Sequence, residues 1–139
     1  MSILKWLHIV AVILIAWPAS AASIVEGRVS KVRDADTIVV EGVPVRFNGV
    51  DAPELNTRAG QDGRRWMVNA VRGQTVRCEL TGEKTYDRWV GTCYIGDANL
   101  SAAVIAAGHA LDCARYSGGR YRRFENPAAK SRIRRSSYC

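Results

Sequence analysis

The sequence predicts a mainly β domain with helices (α+β), built as a five-stranded barrel of the OB-fold type with about three helices. Three observations carry that expectation. Short β-branched, alternating segments are separated by turn residues. A helical pattern falls between the third and fourth of them, giving the order β-β-β-α-β-β-α-α. No internal repeat or low-complexity tract interrupts it. Five strands with a helix after the third are what a small, partly open barrel requires.

The first segment, residues 1–21, reads MSILKWLHIVAVILIAWPASA. Lys5 supplies a positive start, Ile9 to Trp17 an apolar stretch, and Ala19-Ser20-Ala21 a small-x-small cleavage pattern. The apolar run is too short, and too soon interrupted by Lys5 and His8, for a spanning helix. A cleavable signal peptide over 1–21 therefore leaves residues 22–139 as one domain with a basic C-terminal tail. That implies a periplasmic or secreted monomer without stable membrane association.

Ser23 to Val32 roughly alternates apolar and polar, a half-buried strand, and Asp34-Ala35-Asp36 punctuates it. Thr37-Ile38-Val39-Val40 is a second strand. Glu41-Gly42 is a tight turn, and Val43 to Val50 forms the third strand with Pro44 near its start. Residues Glu54 to Gly63 read as loop. A helix follows over Asp62–Arg72, with Trp66, Met67, Ala70 and Val71 on its apolar face and Gly73 as its stop. Thr75–Leu80 and Trp89–Ile95 are two further strands around the polar loop Thr81–Arg88. A second helix covers Leu100–Ala107, and a last basic one is expected from Pro127 to Arg135.

Lys and Arg number 20 against 13 acids, a formal net charge of +7. Such a surface attracts polyanions, although solubility alone accounts for it equally well until a site is found. The four cysteines, Cys78, Cys93, Cys113 and Cys139, form no CxxC pair, which argues against a zinc cluster. Behind an export signal they suggest two disulfides, and spacing alone leaves three connectivities open. A hairpin centred near Thr85 and Tyr86 makes a Cys78–Cys93 cross-strand bridge feasible, which leaves Cys113 for Cys139. His109 has no His or Ser partner pattern for a His-based nuclease or a hydrolytic triad.

Two segments gather acids beside an arginine at strand ends: Asp34-Ala35-Asp36-Thr37, and Arg46-Phe47-Asn48-Gly49-Val50-Asp51-Ala52-Pro53-Glu54. Asp36 opens the second strand and Asp51 ends the third, so the meander brings their carboxylates towards one rim. Two carboxylates suit a hard divalent cation. Glu54, just beyond, is placed to take a proton from a metal-associated water. Arg46 offers a bidentate fork to a phosphate. Metal, base and clamp together make phosphodiester hydrolysis the indicated reaction class.

RDADTIVV followed by VRFNGVDAPE resembles the paired signature of the staphylococcal nuclease (thermonuclease) family, and YDRWVGTCYIGDANLSAAVIAAGHA is similar to its later loop, strand and helix. The resemblance covers about residues 24–116. It implies that Asp36 and Asp51 bind calcium, with Asp34 nearby and Ala52 contributing its backbone carbonyl. It makes Glu54 the general base and Arg46 the first phosphate arginine. It also implies Ca2+-dependent hydrolysis of DNA and/or RNA to 3′-phosphate ends. The family's second loop arginine is missing: the ungapped match puts Gly91 there, and Arg88 from the same loop is the candidate replacement. Trp89 and Tyr116 are candidate stacking partners for the nucleic acid. A non-catalytic nucleic-acid-binding barrel, disabled by that missing arginine, is the alternative.

Overall fold

The computed structural model describes residues 23–139. The expected signal peptide over 1–21 lies outside the described residues, and no helix among those described is long and apolar enough to cross a membrane. The strands are β1 (Ser23–Asp34), β2 (Thr37–Val40), β3 (Val43–Phe47), β4 (Val50–Asp51), β5 (Thr75–Thr85), β6 (Arg88–Ile95), β7 (Ala98–Asn99) and β8 (Leu111–Asp112). The helices are α1 (Arg58–Val71), α2 (Leu100–Ala106), α3 (Ala114–Ser117) and α4 (Pro127–Lys130), with a 3-10 turn at Arg122–Phe124.

The barrel is made by one long strand serving two partners. The first half of β1 pairs with β5, Ser23 opposite Leu80 through Arg28 opposite Thr75. Its second half pairs with β2, across two register irregularities that bend it. The ring closes where β3 runs parallel to β6, with Phe47 opposite Gly91. The order β3-β2-β1-β5-β6 with a β3–β6 pairing is the expected five-stranded, OB-like barrel. Val32, Ile38, Val40, Val45, Phe47 and Val76 belong to its core, which Met67 of α1 and Val104 and Ile105 of α2 join.

Three local expectations need correction. Helix α1 starts at Arg58 rather than Asp62, because Thr57 caps it by accepting from the Gly60 amide at 3.0 Å. The glycines that read as loop are contact surfaces instead. A Cβ on Gly60 would overlap the Glu54 carbonyl, and one on Gly63 would lie 3.0 Å from the Ala35 methyl. The third strand breaks at Asn48-Gly49, where Gly49 takes φ 77, and resumes as β4 against β8. The last helix stops at Lys130 rather than Arg135, since Ile133 turns back onto Leu111 and Ala129 as a second small core.

The tail is also less solvated than its charge suggests. Glu125, buried at 8% exposure, takes Arg135 at 2.7 Å, Lys130 at 3.4 Å and Arg122 at 3.5 Å. The amide of Asp112 donates to the same carboxylate at 3.1 Å. Both expected disulfides are present. Cys78 and Cys93 face each other across β5 and β6, and Cys113 joins Cys139.

Burial pushes the Glu125 carboxyl up, but hydrogen bonds from Arg135 and the Asp112 amide outweigh it and hold the group below its ordinary value. Its stabilisation is therefore present above the ordinary carboxyl range and is lost as pH falls through the lowered value. Glu125→Gln should cost about 2 kcal/mol at neutral pH by urea unfolding, and the difference from wild type should close in acid.

Candidate functional site

The β1–β2 turn makes the centre of the site. Asp34 Oδ1 accepts the Asp36 amide at 3.0 Å, an Asx turn that aims the Asp36 side chain inward. Thr37 Oγ1 donates to Asp36 Oδ1 at 2.9 Å, and Arg46 Nη1 pairs with Asp36 Oδ2 at 3.0 Å. The same guanidinium donates to the Phe47 carbonyl at 3.0 Å and the Val50 carbonyl at 2.8 Å. Two of its five N–H donors are thus spent on backbone carbonyls, which leaves others for Asp36 and a ligand. Asp51, the next residue after Val50, is buried at 4% exposure. Arg46 therefore holds the Asp36 carboxylate and the backbone carbonyl of the residue before Asp51.

Arg88 joins this group from the start of β6. Its Nη1 donates to Thr37 Oγ1 at 3.2 Å and its Nε to the Thr85 carbonyl at 3.4 Å. Arg88, Thr37, Asp36 and Arg46 form one unbroken chain of contacts. The turn carrying Arg88 is pinned from the side by a two-pronged Arg33–Asp87 pair at 2.6 and 3.0 Å. Burial raises the Asp36 carboxyl to about 8, opposed by Arg46 and reinforced by Asp34. Nearby cations are what such a group needs to carry its charge.

A cleft of about 540 Å³ opens over this chain, lined by Arg46, Lys84, Tyr86, Arg88, Tyr116 and Tyr138 among others. The structure therefore brings Arg46, Arg88 and Tyr116 to one cleft, with Asp36 buried in contact with Arg46. Trp89 does not line the cleft; its half-buried ring lies 4.5 Å from Nζ of Lys84, which does. Glu54 has an exposed side chain, while its carbonyl is fixed by the Thr57 amide at 3.0 Å and the Thr57 hydroxyl at 2.7 Å.

Among the described residues no group of three or more His, Cys, Asp or Glu side chains gathers around one point. The donors that are present, the Asp36 and Asp51 carboxylates and neighbouring backbone oxygens such as that of Ala52, are the kind a hard divalent cation takes. In that chemical sense they fit calcium.

Sequence reasoning missed Thr37 as a link, Tyr86 and Tyr138 on the cleft wall, and Ser136. Ser136 donates its amide to Asp51 Oδ2 at 2.7 Å and its hydroxyl to Asp51 Oδ1 at 2.8 Å. The only hint of that contact was the expected Cys113–Cys139 bridge, which returns the tail to the barrel.

The staphylococcal nuclease homologue family matches residues 44–137, a span that includes Arg46, Asp51, Glu54 and Arg88. The succinoglycan biosynthesis protein ExoI of Rhizobium meliloti is 34% identical over 117 residues, covering 75% of this chain and 60% of its own length. Two probable staphylococcal-like nucleases of Oryza sativa subsp. japonica are each 27% identical over 75 residues, 54% of this chain and 20% of theirs. The chain thus spans about three fifths of the first relative and a fifth of the other two.

Gly91, matched to the family's second arginine, has no room for one. It is buried at the barrel seam, and a Cβ would lie 2.9 Å from the Glu79 carbonyl and 3.1 Å from Val45 Cγ1 and Leu80 Cδ2. An arginine there, as in Gly91→Arg, would collide with the seam. The substitution should lower stability by about 3 kcal/mol through overpacking of the seam. An unchanged unfolding midpoint would show that the seam yields.

Proposed function

The chain belongs to the staphylococcal nuclease family, and from that premise we propose that it is a calcium-dependent nuclease of the periplasm or cell exterior. Its substrate is DNA and/or RNA. The observation that carries this reading is that Arg46 and Arg88, which both line one cleft, converge on the buried Thr37–Asp36 pair. Two cations there match the charge of a phosphodiester in attack, and acids alone would repel it. The basic excess of the chain and the oxidised cysteines support nucleic acid as ligand and export as destination.

In this mechanism Asp36, Asp51 and the Ala52 carbonyl would hold the cation. Calcium, when bound there, would contribute Lewis-acid polarisation of the phosphate and a source of activated water. Glu54, free in solvent, accepts the proton of the attacking water. Arg46 turns its unspent donors to a phosphate oxygen, and Arg88 meets a second one, taking the part of the absent family arginine. Tyr116 offers a ring to a base at the cleft edge, and Trp89 supports the wall from behind.

A second reading has one observation in its favour: the relative with 34% identity carries the name of a biosynthesis protein rather than a nuclease. On that reading the barrel binds a polyanion without cutting it. Digestion of plasmid and RNA by the whole purified chain separates the two. Cleavage in calcium that stops in chelator supports the nuclease, and binding without cleavage supports the rival. In the nuclease, Arg88→Ala should lower kcat about a hundredfold with KM nearly unchanged. Full activity in that variant would contradict the role given to Arg88.

A further inference from the structure

The segment after α4 runs back over the barrel rim and lays Ser136 on Asp51, 85 residues away in sequence. Its amide and hydroxyl each take one carboxylate oxygen. An ionised carboxylate has about four acceptor directions, so these two bonds set its rotation and leave one direction on each oxygen free. Ser136 is thereby placed to orient the group without exhausting it.

The anchors on either side decide between orientation and obstruction. Immediately before Ser136, Arg135 donates to the Asp112 carbonyl and to buried Glu125. Three residues after it, Cys139 is bonded to Cys113, and the Cys139 amide donates to the Ser136 carbonyl at 3.0 Å. Cys113 in turn donates its amide to the Gly49 carbonyl, at the bend that leads into β4 and Asp51. Between the anchors, Tyr138 lines the same cleft as Arg46 and Arg88. A segment held by a covalent bond at one end and a buried ionic cluster at the other is a fixed wall of the site.

We propose that Ser136 is a positioning residue that orients the Asp51 carboxylate for a divalent cation, and that the Cys113–Cys139 bond makes this orientation depend on the oxidised state of the chain. The proposal rests on the calcium reading given above. Outer-shell partners of ligating carboxylates typically govern metal affinity by ten- to a hundredfold. Reduction in a thiol-rich compartment would therefore leave a folded barrel with a weakened site.

The test is calcium titration by calorimetry on the whole chain and three variants: Ser136→Ala, Ser136→Thr, and Cys113→Ser with Cys139→Ser. Ser136→Ala should weaken calcium binding about tenfold, and Ser136→Thr, which keeps the hydroxyl, should restore it. The double cysteine variant should lose at least as much as Ser136→Ala, since both bonds to Asp51 go slack. Tighter binding in Ser136→Ala would make the segment a plug, and unchanged binding would make it packing; either result overturns the proposal. Amide exchange without metal gives a separate readout, in which Asp51→Ala should speed exchange at the Ser136 N–H on the order of tenfold. Should wild type take up no calcium, the metal reading fails by itself, and the exchange rate still decides whether Ser136 holds Asp51.

Discussion

The carboxylate of Asp36 is buried, and a buried charge persists only beside opposite charge and donors. Much of the site follows from meeting that need. Arg46 supplies the charge and Thr37 the hydroxyl. In doing so Arg46 also spans the Phe47 and Val50 carbonyls, which fixes the bend that delivers Asp51. Thr37 passes the demand outward to Arg88. An acid placed at a strand start thus recruits two arginines from strands far apart in sequence, and the recruited charge faces the cleft.

Barrel closure imposes the second constraint. Parallel pairing of β3 with β6 presses Gly91 between Val45 and Leu80, where a side chain has no space. A cation for the cleft must then come from the face of β6 that alternates with Gly91, and Arg88 occupies it. The Arg33–Asp87 pair holds the preceding turn so that Arg88 reaches Thr37. The absent arginine and the present one are consequences of one seam.

The barrel was legible because its strands are short, β-branched and punctuated by glycine turns, signals local to each segment. The contact of Asp36 with Arg46 was legible in part for the same reason, since each lies in a short segment that gathers charged residues at a strand end. Helix α1 was read four residues late because Gly60 and Gly63 carry a loop signal, whereas their role is to let α1 approach Glu54 and Ala35. The β4–β8 pairing is only two residues long in each strand, too short to leave a periodic trace. The contact of Ser136 with Asp51 depends on tertiary folding and a disulfide, and no pattern near Ser136 announces it. Likewise the burial of Glu125 against Arg122, Lys130 and Arg135 left no sequence trace, because it is one acid among many basic residues of the tail.

The central claim is that Arg46 and Arg88 act as one clamp through the Thr37–Asp36 pair. Groups that act as a unit are strongly non-additive when removed. The most direct measurement is a double-mutant cycle on kcat/KM with Arg46→Ala, Arg88→Ala and the pair together, on plasmid DNA in calcium. Each single change should cost about a hundredfold and the double change little more than either. Losses that multiply, or a single variant that loses nothing, would mean that the two arginines do not share one phosphate and would contradict the clamp.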